Sequence, residues 1–191
     1  MARTFSALLA AALVAAPIAT GIATASEDDH LAQSRAIAMR FGGELKGHLQ
    51  KAMASGGPVA AISVCKDTAP AIARQLSQEF NAAVNRVSLK PRNPNGAPDP
   101  WQQRVLEQFD QQNADGVPVA ALERLDTADD GSARYLKAIP AQAMCLMCLG
   151  EQLAPEVAAA LQEHYPDDVA VGYQAGEIRG AFSIDWPASG E

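Results

Sequence analysis

The chain has 191 residues, of which 15 are Lys or Arg and 22 are Asp or Glu, so its formal net charge is −7. This balance argues against a nucleic-acid partner and against an anionic membrane surface, because both are bound by clustered basic side chains. The length suits one domain with its own hydrophobic core, which needs neither a disulfide nor a metal on grounds of size.

Residues 1–25 have the pattern of a secretory signal. A basic residue near the start precedes an apolar stretch from Phe5 to Ala16, and the segment ends on Ala23-Thr24-Ala25, the small-x-small pattern of a cleavage site. We expect cleavage before Ser26, with an uncleaved anchor as the alternative. The prediction is a single domain over 26–191 in the periplasm or outside the cell, with no further membrane segment.

The first predicted element is a long amphipathic helix from Glu27 to Met53. A Ser55-Gly56-Gly57-Pro58 sequence is expected to end it, because glycine and proline are poor helix formers. Its larger apolar residues recur every fourth position, which places them on one helical stripe: Ile37, Phe41, Leu45, Leu49 and Met53.

The remaining elements follow from proline positions, alternation and turn residues. Proline in a first helical turn marks helix starts, and Asp130-Gly131 is typical of a hairpin turn. Helices followed by mostly antiparallel strands indicate the α+β class. In chain order we predict a helix from Thr68 to Phe80, a strand Val84–Leu89, a loop Lys90–Pro100, a helix Pro100–Gln112, strands Val119–Leu125 and Ser132–Ile139, a helix Pro155–His164 and a strand Gly180–Trp186.

The densest group of reactive side chains is a Cys-x-x-Cys motif at Cys145 and Cys148. Its residues alone are compatible with four kinds of site: covalent haem attachment, a Cys145–Cys148 disulfide that leaves Cys65 over, a soft-metal site for copper, or a thiol oxidoreductase. Covalent haem normally requires histidine directly after the second cysteine, and this position is Leu149. The copper hypothesis adds the thioethers of Met144 and Met147 to the thiols.

Several further segments occur in an order that resembles a known family. The chain resembles the periplasmic single-haem c-type proteins of PAS-like fold, a catalogued domain of unknown function that also forms the sensing module of some membrane histidine kinases. The match covers nearly all of the mature chain. The segments that carry it are Val64-Cys65, Arg86-Val87-Ser88-Leu89-Lys90-Pro91-Arg92-Asn93-Pro94-Asn95, Cys145-x-x-Cys148-x-Gly150, Gly172-Tyr173 and Gly176-x-Ile178-Arg179-Gly180-Ala181-Phe182.

The resemblance implies a fold and a set of ligands. It implies a five-stranded antiparallel sheet surrounded by helices, with Cys145 and Cys148 at the thioether positions of haem c. Cys65 matches the axial iron ligand on the opposite side, and Leu149 stands where the family has its axial histidine. The implied role is redox or small-gas sensing.

Three arginines are candidates for holding an anionic group such as a haem propionate: Arg86, Arg92 and Arg179. A guanidinium binds a carboxylate by two parallel hydrogen bonds. The sequence contains no nucleophile elbow, phosphate-binding loop or zinc-protease motif, so we expect a binding protein rather than an enzyme. A haem-free structural or interaction module with the same fold is the alternative.

Overall fold

The protein is described over residues 26–188 by a computed structural model. Residues 1–25, on which the predicted secretory signal falls, and residues 189–191 lie outside the described part. None of the described helices combines the length and the apolarity that a bilayer span requires.

Five α-helices and four strands make up the described chain, which confirms the α+β prediction. Short 3₁₀ turns lie at Pro94–Gly96, Val119–Ala121 and Ala143–Cys145. The elements in chain order are α1 (Glu27–Ser63), a π-helical segment (Val64–Thr68), α2 (Ala69–Phe80), β1 (Ala83–Val87), α3 (Pro100–Ala114), β2 (Glu123–Thr127), β3 (Ala133–Pro140), α4 (Leu146–Leu149), α5 (Pro155–His164) and β4 (Ile178–Trp186).

Helix α1 continues past the predicted end near Ser55, but its backbone is broken at the two glycines. Gly57 has a φ of +68°, a conformation that glycine adopts at no steric cost. Pro58 follows directly and fits the first turn of the second helical part, where its missing N–H removes no hydrogen bond. The glycine pair therefore redirects the helix, and the part after it carries Ala61 and Ile62 into the core.

The sheet is antiparallel throughout and has the strand order β1-β4-β3-β2. Helices cover both of its faces. On one face α1 and α2 pack against Tyr135 and Ile184, and on the other face α3 packs against Leu136 and Ala181. Adjacent strand residues point to opposite faces, so neighbouring positions serve the two cores.

Within residues 26–188 the sheet has four strands, one fewer than the five that the resemblance implied. The strand predicted from Val119 begins only at Glu123, because residues Val119–Ala121 form a 3₁₀ turn after Pro118. The segment between α5 and β4 contains no strand. Two glycines with positive φ, Gly172 and Gly176, turn the backbone in this segment.

Glu123 on β2 joins the sheet to α1 and gives a pH-dependent stability. It accepts hydrogen bonds from Arg35 Nε at 3.1 Å and from Tyr135 Oη at 2.6 Å. The hydrogen bond from Arg35, followed by that from Tyr135, lowers the pKa of Glu123 from 4.5 to about 2. A lowered pKa contributes stability that is present above about pH 4.5 and is lost as the pH falls toward 2.

We expect Glu123→Gln to lower the free energy of unfolding at pH 7 by about 1 kcal/mol, the size of a solvent-screened ion pair. The loss should shrink between pH 4.5 and pH 2, which urea unfolding at a series of pH values would measure. Glu163→Gln, on an exposed position of α5, is the matched control. A Glu123→Gln variant whose pH profile parallels that of the unmodified protein would contradict the assignment.

Candidate functional site

A cavity opens where α1, the end of β1, the Cys-x-x-Cys segment and the start of β4 meet. Its void measures about 1030 Å³ with the solvent at its open mouth included. Binding sites for prosthetic groups and drug-sized ligands have mostly apolar walls. The apolar lining residues come from distant parts of the chain and include Leu49, Met53, Ile62, Ile139, Met144 and Leu149.

The Cys-x-x-Cys motif forms one wall. Cys145 ends a 3₁₀ turn and Cys148 lies in the following short helix α4, so the two residues are one helical turn apart and both line the cavity. Cys148 Sγ contacts the carbonyl oxygen of Pro58, 3.9 Å away on α1. Burial raises the pKa of the Cys148 thiol, which favours the neutral thiol over the thiolate.

Cys65, which is distant from the Cys-x-x-Cys motif along the chain, lines the same cavity. It belongs to the five-residue π-helical segment between α1 and α2. π-Helical turns are rare in proteins, and those that occur are often found at functional sites. The structure therefore brings together all three cysteines that the sequence singled out, across a separation of eighty residues between Cys65 and Cys145.

The three cysteines are free thiols in the structure, and no Cys145–Cys148 disulfide is formed. Residues 26–188 also hold no group of three or more His, Cys, Asp or Glu side chains that could bind a metal ion. Such a group does not include methionine, whereas the copper hypothesis adds the thioethers of Met144 and Met147 to the thiols, so copper binding stays a prediction. The three cysteines line a cavity that a larger ligand could fill.

Arg86 and Arg179 line the cavity without a counter-ion. The described residues place neither guanidinium in an ion pair, and the buried atoms Arg86 Nη1 and Arg179 Nε have no hydrogen-bond partner. Burial, followed by the positive charge of Arg179, lowers the pKa of Arg86 to about 10, so Arg86 remains charged at neutral pH. Arg86 also lies over the ring of Phe41, 5.8 Å from its centroid.

A β-bulge aims Arg179 at the cavity. Ile139 on β3 pairs with Gly180 and the next residue, Pro140, pairs with Ile178, which leaves Arg179 as an extra residue. The bulge interrupts the alternation of side chains, so Ile178 and Ala181 share one core cluster although they are three positions apart. Gly180, with a φ of +140°, approaches the Val87 carbonyl oxygen so closely that a Cβ would lie 2.3 Å from it.

Arg92, the third predicted anion-binding arginine, lines the cavity but is bonded to the protein itself. Its Nε donates to Asp168 Oδ2 at 2.9 Å, and its Nη2 donates to the carbonyl oxygens of Cys148 and Ala170. The guanidinium and the carboxylate are both largely buried. Arg92 therefore fixes the position of the Cys-x-x-Cys segment, a role that its sequence did not indicate because Asp168 is distant along the chain.

The cavity is positively charged although the protein as a whole is acidic. Lys90 lines it together with Arg86, Arg92 and Arg179, and its ammonium lies 5.0 Å from the centre of the Tyr173 ring. No Asp, Glu or His belongs to the lining formed by the described chain. This charge distribution favours a ligand that carries negative groups.

Leu149, the residue after the second cysteine, is buried at the cavity wall. It packs with Ala141, Ala170 and Tyr173, and its carbonyl oxygen accepts a hydrogen bond from the Tyr173 N–H at 2.9 Å. Its side chain carries no lone pair for a metal.

An apolar cavity that three thiols and two unpaired guanidinium groups line fits a haem, a flat apolar group with two carboxylates. The thiols are suitable for covalent attachment and iron ligation, and the orphaned arginine atoms for the carboxylates. The fold and the site define a class of protein, the α+β proteins with an apolar cavity that thiols and arginines line.

Comparisons with known proteins identify the family and support the fold. The Tll0287-like family model matches residues 12–187, and the chain belongs to this family. The crystal structure of the cyanobacterial heme-protein Tll0287 is similar with a TM-score of 0.64 and 24% sequence identity, over 85% of this chain and 97% of that chain. At this identity the likeness shows the fold alone. No curated protein matches.

Proposed function

We propose that the mature protein is a haem-binding protein outside the cytoplasm that serves in redox or small-gas sensing rather than in catalytic turnover. The observation that carries the proposal is the meeting of Cys65, Cys145 and Cys148 on one cavity that also holds two unpaired arginines. Membership of a family that includes a heme-protein supports it. The finer points of this proposal are a PAS-like architecture and export through the signal of residues 1–25.

Each cysteine has a separate part in this proposal. Cys145 and Cys148 would hold the cofactor through thioether bonds, and Cys65 would supply a sulfur ligand to its iron. Leu149, which stands at the position of a histidine ligand in the proposed motif, would supply no ligand and would leave the iron free to bind a small molecule. A bound haem supplies an iron that changes redox state and binds small diatomic molecules. The apolar residues around the cavity exclude water, and Tyr165, whose pKa burial raises to about 12, stays neutral.

The proposal is tested by exporting the full chain from a host with a cytochrome c maturation system. We expect a Soret band that stays with the protein after denaturing electrophoresis, and a shift of that band when carbon monoxide is added to the reduced protein. Protein that is exported and folded but has no Soret absorbance would contradict haem binding. A Soret band without response to carbon monoxide would contradict the open axial position.

Restoring the histidine tests the role of Leu149. We expect Leu149→His to increase the fraction of chains with covalent haem several-fold, because maturation recognises histidine after the second cysteine. The reduced variant should also respond less to carbon monoxide, since both axial positions are then filled. Leu146→His, which places histidine between the two cysteines, is the matched control and should change neither quantity. Equal effects of the two substitutions would contradict the assignment.

The packing of Leu149 favours a second candidate, a haem-free structural or interaction module. Its side chain is 6% exposed and contributes to a core cluster, as a structural residue does. In an oxidising compartment Cys145 and Cys148 of such a module would form a disulfide. Titration of the unfolded, exported protein would then find one free thiol, that of Cys65, and no haem.

A further inference from the structure

The cavity contains two unpaired arginines, and the roles proposed for its three cysteines do not explain them. A buried charge without a partner is costly, and native proteins pair such groups or use them for ligands. Arg86 and Arg179 have neither an ion pair nor a bond to their buried Nη1 and Nε atoms within residues 26–188. The other largely buried arginine of the cavity, Arg92, has a carboxylate and two carbonyl oxygens.

The backbone holds both arginines on the same side of the sheet. Arg86 lies on β1 opposite Phe182 and therefore faces α1, whose Phe41 contacts both side chains. Regular alternation would turn Arg179 to the other face, but the bulge places it in the lining of the cavity. A bulge redirects a side chain at the cost of a regular ladder. The fold thus places a second positive charge in the same cavity as Arg86, and no carboxylate of the described residues compensates either charge.

We propose that Arg86 and Arg179 together form a binding site for the carboxylate groups of the cavity ligand. The inference rests on the proposed function, because the ligand with two carboxylates is then the haem. A small free carboxylate carries the same negative group as the haem and is the other ligand that the two arginines could bind. A guanidinium offers two parallel N–H donors to a carboxylate, and two adjacent guanidinium groups favour a doubly charged ligand over a neutral one.

Metal-free porphyrins separate carboxylate binding from iron ligation. Full-length protein exported without haem would be titrated with protoporphyrin IX and with its dimethyl ester, whose carboxylates are blocked, and the porphyrin fluorescence recorded. We expect the acid to bind at least tenfold more tightly than the ester. Arg86→Gln and Arg179→Gln should each weaken binding of the acid about tenfold and leave that of the ester unchanged. Arg104→Gln, on an exposed position of α3, controls for the lost charge.

Thermal unfolding of the ligand-free protein provides a second measurement. If an arginine had a purely structural role, its replacement would lower the melting temperature, whereas the proposal expects a rise. Removing an uncompensated buried charge should raise the melting temperature by a few degrees in the Arg86→Gln and Arg179→Gln variants. A loss of melting temperature in both variants would indicate a structural role and overturn the inference.

The outcomes distinguish this inference from the proposed function. If the protein binds no porphyrin but succinate raises its melting temperature, and only while both arginines are present, the haem proposal fails and the carboxylate site stands. If haem is attached on export but acid and ester bind alike in all variants, the haem proposal stands and the carboxylate site is refuted. Absence of any arginine-dependent binding, of porphyrin or of succinate, also refutes it.

Discussion

Serine at both Cys145 and Cys148 is expected to abolish covalent haem attachment completely while the protein still folds. Serine has nearly the shape of cysteine, and neither thiol is joined in a disulfide that the fold would lose. The thioether bonds, however, need sulfur at these positions. The measurement is haem staining after denaturing electrophoresis, with circular dichroism to confirm the fold.

Cys65→Ser is the matched control because Cys65 lines the same cavity. Covalent haem should remain in this variant, and the Soret maximum should shift because the axial sulfur is lost. Covalent haem in the double-serine variant would contradict the roles given to Cys145 and Cys148. An unchanged spectrum in Cys65→Ser would contradict axial ligation by Cys65.

Replacing Arg92 by methionine is expected to lower the free energy of unfolding by about 3–5 kcal/mol, the cost of breaking a buried ion pair. Asp168 would be left buried without its partner, and the carbonyl oxygens of Cys148 and Ala170 would lose their donor. In a domain of this size the change lowers the melting temperature by about 10 °C. Urea unfolding and thermal melts of the ligand-free protein would measure both quantities.

Two controls separate the buried pair from a general effect of charge. Arg124→Met breaks the exposed pair with Asp126 and should cost less than about 1 kcal/mol. The double variant Arg92→Met with Asp168→Asn should be more stable than Arg92→Met alone, since it no longer buries an unpaired carboxylate. Equal losses in Arg92→Met and Arg124→Met would show that Arg92 has no special role.

Much of the secondary structure was predictable because its signals are local. Asp99 caps α3, which begins at Pro100 as expected, and the hairpin turn lies at Asp130-Gly131 between β2 and β3. The continuation of α1 past Gly56-Gly57 was not predicted. The glycines break the regular backbone as expected, but packing of the following turn keeps the chain helical.

The residues of the site were predictable from the sequence, but the groups that these residues bond to were not. The resemblance singled out Cys65, Cys145 and Cys148, and the structure places them on one cavity. The partner of Arg92 and the orientation of Arg179 depend on tertiary contacts and on a bulge between strands. Neither leaves a periodic signal in the sequence. All three arginines therefore looked equivalent, whereas one is a structural group and two are free of partners within the described chain.

The strand order has a consequence for how this protein reaches its native state. Within residues 26–188 strand β1 pairs only with β4, and the whole segment between Val87 and Ile178 separates the two strands along the chain. Contacts of such long sequence separation slow folding, because the entropy of closing a large loop is lost before the contacts form. Until β4 docks, both edges of β1 are open to pairing with other molecules. We therefore expect the cavity that the three cysteines line to form late in folding and to be absent from any fragment that lacks β4.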